Sequence, residues 1–128
     1  MLYDANLKKL FEHAEQGLVY ALDELWERYE GGIGVPKSKI KARECIEKIL
    51  ANPEYSKSFY KRFEAMYAGL GGYYRDEKRH QKALEFFLKA KSYIHENYPP
   101  EEHLTRINYL EIQEDIDELK HLLIDQAN

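Results

Sequence analysis

The stretch Tyr67–Ala90, YAGLGGYYRDEKRHQKALEFFLKA, decides how the rest of the chain is read. Tyr67, Leu70 and Tyr74 recur at steps of three and four. A polar run from Arg75 to Lys82 follows, and then Ala83, Phe87 and Ala90 resume the same spacing. That is one amphipathic helix, a short turn, and a second helix folded back on the first. Gly71, Ala83 and Ala90 are small where two antiparallel helices must touch, and the larger residues fill the spaces between. Gly69, Gly71 and Gly72 each cost roughly 1 kcal/mol relative to alanine inside a helix, and close helix approach is the reason that would repay them.

The same periodicity extends in both directions. A first helix from Asp4 or Asn6 to about Gln16 carries Leu7, Leu10, Phe11 and Ala14 on one stripe, and Gly17 ends it. A second carries Leu18, Leu22, Leu25, Trp26 and Tyr29, stopped by Gly31, Gly32, Gly34 and Pro36. A third runs from about Ser38 to Leu50 with Ile40, Cys45, Ile46 and Ile49 apolar. Asn52-Pro53-Glu54 has the residues that start a helix, which would carry Phe59, Phe63 and Met66 into the stretch above. The fifth spans about Arg79 to Glu96 and Pro99-Pro100 closes it. Glu101 and Glu102 then open a last long helix through Leu104, Ile107, Tyr109, Ile112, Ile116, Leu119 and Leu123. Strand alternation is nearly absent, so the class is all-α with about six helices.

Tyr67, Leu70, Gly71, Tyr74, Ala83 and Phe87 meet the tetratricopeptide pattern W-x2-L-G-x2-Y…A-x3-F, with tyrosine for the leading tryptophan and no closing proline. The first half resembles the related Sel-one-like repeat. Ala14-Glu15-Gln16-Gly17 is similar to its end-of-repeat phrase, followed by Ala21, Leu25, Tyr29, Gly32, Gly34-Val35 and Lys41-Ala42. Trp26 departs from it, standing where the family has a small residue. Leu25 and Leu70 are 45 residues apart, against about 34 in a plain repeat. The extra length falls in the Gly31–Ser38 turn and around Asn52–Ser58. The resemblance implies a short right-handed superhelix of antiparallel helix pairs forming one domain over 1–128. Within it, about 7–51 is Sel-one-like, about 59–97 tetratricopeptide-like, and about 100–125 a capping helix.

Composition narrows the function. The formal net charge is −4 with both signs interspersed. Lys37, Lys39, Lys41 and Arg43 are diluted by Glu44 and Glu47, so no basic face suits a nucleic acid. No apolar run approaches the ~20 residues of a membrane span. The single cysteine, Cys45, fits a reducing compartment, and the expected location is cytoplasmic. Eleven tyrosines serve helix packing, and interfaces as well.

No catalytic constellation emerges. His13, His80, His95, His103 and His121 form no pair at i and i+4, and Cys45 has no second thiol, so no metal spacing exists. They read as solvated side chains, His95 near a helix C-terminus. Gly31-Gly32-Ile33-Gly34 and Gly69-Leu70-Gly71-Gly72 follow no strand and lack the lysine-then-Ser/Thr ending of a phosphate loop. Cys45 occupies an apolar helix position. Glu101, Glu102, Glu111, Glu114, Asp115, Asp117 and Glu118 read as a solvated helix face, with no acid/base pair among them. The expectation is a non-enzyme with no cofactor and no metal.

The resemblance implies that the first helix of each pair lines a concave surface. There the second helix would present Tyr20, Asp23, Glu27 and Glu30, the fourth Ala65, Ala68, Gly72 and Arg75, and the last Arg106 and Tyr109. The expected partner is a protein or peptide, bound by a monomer or weak homodimer acting as an adaptor. The alternative is a small bacterial immunity protein that neutralises one toxin or enzyme.

Overall fold

A computed structural model describes residues 2–55, 63–106 and 109–127, with the backbone alone for residues 2–5. Every element among these residues is helical: α1 (Leu2–Glu15), α2 (Val19–Gly31), α3 (Lys39–Ala51), α4 (Phe63–Asp76), α5 (His80–Asn97), α6 (Pro100–His103) and α7 (Tyr109–Ala127). They fall into two compact units, Met1–Lys61 and Arg62–Asn128. The division follows the stretch where the repeat spacing lengthens.

In the first unit α2 packs on α3 and, less extensively, on α1. The residue after α2, Gly32, has φ +67, the left-handed region that favours glycine, and its N–H donates to the carbonyl of Arg28. Ser38 starts α3, its Oγ accepting from the N–H of Lys41 at 3.1 Å. The seven-residue connection brings α3 back along α2. Asn52, just past α3, donates through Nδ2 to the carbonyl of Gly17, just before α2, so the two helices run antiparallel. Ala21, Leu22, Leu25, Ala42, Ile46 and Ile49 are buried between them. Each large aliphatic side chain contributes about 1.5–3 kcal/mol of transfer free energy. Trp26 is only half-buried.

The second unit is built on α5, which packs against α4, α6 and α7. Contacts between α4 and α5 run in opposite order along the two helices: Phe63 meets Tyr93 and Tyr74 stacks on Phe86. Gly71 lies against Phe87. A Cβ built on Gly71 would stand 2.8 Å from the Phe87 ring, so this glycine is what permits the approach. Ala83 and Ala90 are fully buried in the same unit. The α5–α7 pairing is antiparallel too. His80 meets Gln126 at one end, Lys91 meets Gln113 midway, and His95 meets Tyr109 at the other end.

Two helix boundaries differ from the sequence reading. The last helix does not run unbroken from Glu101: α6 is one turn, and residues 104–106 turn away before α7 begins at Tyr109. Thr105 hydroxyl and N–H both donate to the Glu102 carbonyl, and Arg106 N–H to His103, so three-residue closures replace the helical ladder. Where the sequence reading begins the fourth helix, Asn52 Oδ1 instead accepts from Glu54 N–H at 2.9 Å and closes a tight turn through Tyr55. Phe59 and Ile107 lie outside the described residues.

Candidate functional site

The surface expected from the sequence is distributed over both units. On α2, Tyr20 is exposed but leans edge-on against His13, with its hydroxyl hydrogen-bonded to the imidazole Nδ1. Asp23 is half-buried, and Glu27 is exposed. Tyr20 is thus anchored to the preceding helix rather than projecting freely.

The second unit holds Ala68, Gly72, Arg75, Arg106 and Tyr109. Glu64, Ala68 and Arg75 fall on one side of α4, at four- and seven-residue steps. Arg75 pairs with Asp115 of α7 at 2.5 Å. Glu64 pairs with Arg106, on the turn before α7, at 2.6 Å. Both α4 and α7 run antiparallel to α5, so they are parallel to each other, and α7 packs closely on α5 but not on α4. α4 and the α7 region are thus bridged at two points, each closed by an ion pair. Eleven residues of α4 separate the two closures, about 16 Å at 1.5 Å per residue.

Ala68 lies between the ion pairs and is half-exposed. Gly72 lies one step further out, with no atom within 4 Å of where a Cβ would stand. The α4 surface between the two ion pairs thus carries small residues, Ala68 and Gly72. Arg106 is held on two sides: its guanidinium sits 3.8 Å over the Tyr98 ring, and the Tyr98 hydroxyl donates to the same Glu64 carboxylate. The hydrogen bond to Glu64 pushes the Arg106 pKa further up, against desolvation. Tyr109 is half-buried, its hydroxyl 2.8 Å from His95 Nε2.

Electrostatics at the Arg75 end is balanced rather than uniformly favourable. Burial pushes the Asp115 carboxyl up, Arg75 pulls it down, and Glu111 and Glu118 add to the rise. The pKa stays raised although the ion pair is short. The contact geometry therefore establishes a pair without establishing a strong one.

Sequence reasoning missed two features. A cavity of about 260 Å³ in the first unit is lined by Phe11, Ala14, Leu22, Leu25, Tyr29 and Cys45, with charged side chains around them. Burial raises the Cys45 thiol pKa, with Glu44 adding and Lys48 and Lys41 opposing. The second feature is the stacking of His95 on His103, eight residues apart, which no helical spacing announces. Among the described residues no group of three or more His, Cys, Asp or Glu side chains is placed to hold a metal ion. Nor is any helix there long and apolar enough to cross a membrane.

The chain matches no protein-family model, no curated protein and no solved structure.

Proposed function

We propose that this chain is a non-catalytic binding module, a short right-handed superhelix of antiparallel helix pairs that holds a protein or peptide segment. The observation that carries the reading is the pair of ion-paired bridges from α4, with the small residues Ala68 and Gly72 between them, which we read as a trough. A trough about 16 Å long accommodates roughly three helical turns or five extended residues. Small floor residues let a partner's backbone approach, while groups at the ends fix its register. The repeated helix–turn–helix pairing of α2 with α3 and α4 with α5 supports the superhelix. The single buried thiol suits a reducing compartment, and we place the protein in the cytoplasm.

The test is affinity capture from the source lysate with the wild-type chain and with Ala68→Arg, followed by calorimetry on the recovered partner. Arginine at this half-exposed position fills the trough without entering the core. Affinity is expected to fall at least about tenfold, or 1.4 kcal/mol. Equal affinity of the two forms, with an unchanged melt, refutes the trough. One folded protein recovered at unit stoichiometry and held tightly would favour the dedicated-inhibitor reading. Several clients sharing a short segment would favour the adaptor.

A further inference from the structure

Three rings meet where α5, α6 and α7 join. His95 stands in the last turn of α5, His103 ends α6, and Tyr109 begins α7. The imidazoles stack with centroids 4.4 Å apart and planes at 26°. Tyr109 stacks on both, at 5.8 Å from His95 and 5.9 Å from His103. Each imidazole also makes one hydrogen bond across the junction. His103 Nε2 is 2.7 Å from the Tyr98 carbonyl, which can only accept, so this nitrogen carries a proton in the neutral ring. His95 Nε2 is 2.8 Å from the Tyr109 hydroxyl. Together these contacts fasten the one-turn α6 and the first residue of α7 to the end of α5.

We propose that the His95–His103–Tyr109 stack is a pH-sensitive latch, closed while the imidazoles are neutral and released when both are protonated. Two imidazolium rings at this spacing repel, and the groups around them do not compensate. From α5 the nearby charge is Lys91, a cation whose Nζ bonds Gln113 of α7. From α7 the facing group is the neutral Tyr109 phenol. From α4 it is Glu64, whose carboxylate is already engaged by Arg106 and the Tyr98 hydroxyl. Glu96 and Glu102, the acids nearest in sequence, are exposed, and no carboxylate of the described residues pairs with either ring. Partial desolvation, then His103, then Lys91 lower the pKa of His95 from its ordinary value. A base with a depressed pKa binds fewer protons folded than unfolded. Its contribution to stability is therefore complete above about pH 6.5 and declines as the pH falls through the depressed value.

Release would loosen the turn that carries Arg106 and the solvent-facing Leu104, and so unfasten one end of the trough. The latch needs no partner to open or close. Its test is hydrogen exchange of the whole chain, corrected for intrinsic rates, at about pH 7.5 and about pH 5.5 on either side of the ordinary histidine value. Peptides covering α6 and the start of α7 are expected to lose protection at least about threefold at the lower pH. His103→Gln, whose amide can still donate to the Tyr98 carbonyl, is expected to abolish that pH dependence. Equal wild-type protection at both values overturns the latch, as does a full pH dependence retained in His103→Gln. Should His103→Gln lose protection at both values, the imidazole titration of His95 followed by NMR decides. A rise of the His95 pKa in the variant supports the coupling, and an unchanged value overturns it.

Discussion

Arg75 and Asp115, forty residues apart in the chain, bring the guanidinium of α4 to 2.5 Å from a carboxylate of α7. The pair joins two helices that each pack on α5. Its partners differ in exposure: Arg75 keeps 36% of its side-chain surface and Asp115 17%. Arg75 therefore remains the more hydrated partner, and Asp115 bears more of the desolvation.

That asymmetry sets the outcome of Asp115→Asn. The raised carboxyl means that the folded state holds its proton more tightly than the unfolded chain does. Stability therefore falls as pH rises through the window between the two pKa values, and the deficit stays constant above it. Removing the charge lifts that deficit at neutral pH and leaves Arg75 facing water. The net change is expected to stay within about 1 kcal/mol of wild type, far below the 3–5 kcal/mol for breaking a fully buried pair. Urea denaturation at about pH 7 checks it, and the acid side of the profile should flatten in the variant.

Neighbouring glycines of α4 should respond in opposite directions. A methyl on Gly71 meets the Phe87 ring at 2.8 Å, so Gly71→Ala forces the α4–α5 contact apart, a loss of about 1–3 kcal/mol. Gly72 has open space around the same position, and Gly72→Ala should gain up to about 1 kcal/mol from helix propensity. Paired thermal melts read both, and a Gly71→Ala protein as stable as wild type would show that Phe87 yields.

Cys45 should be a poor nucleophile in the folded protein. Its side chain is buried at the cavity wall and burial disfavours the thiolate. Reaction with a thiol-specific disulfide reagent at about pH 8 is expected to be at least tenfold slower in buffer than in denaturant. Equal rates would place the thiol in solvent.

Much of this architecture is legible in the sequence because helical packing is local. The three- and four-residue spacing of Leu22, Leu25 and Tyr29, or of Ala83, Phe87 and Ala90, reports which face of each helix is buried. The Gly71–Phe87 contact follows from the small residue opposite the large one. The break between α6 and α7 is hidden for the same reason, because Leu104 and Ile107 keep a helical step of three in the sequence while Thr105 and Arg106 make three-residue closures. The two bridges from α4 are not legible in this way. Ala68, Gly72 and Arg75 share a helix, but Glu64–Arg106 and Arg75–Asp115 span 42 and 40 residues. No periodicity encodes such pairs. His95 and His103 evade the eye similarly, lying on different helices at a spacing that neither helix repeats.

The three-residue turn from Glu77 to Arg79 bears on how the chain is made as well as how it rests. It is closed by N–H bonds from Lys78 to the Arg75 carbonyl and from Arg79 to that of Tyr74, with Lys78 at φ +60. Little loop entropy is spent in folding α5 back on α4, so this hairpin can form as soon as both helices have left the ribosome. The other side of α5 must then wait until residues 109–127 have been synthesised. During that interval the growing chain presents an apolar face with no occupant, and that is when a chaperone or a stray neighbour competes with α7 for its seat.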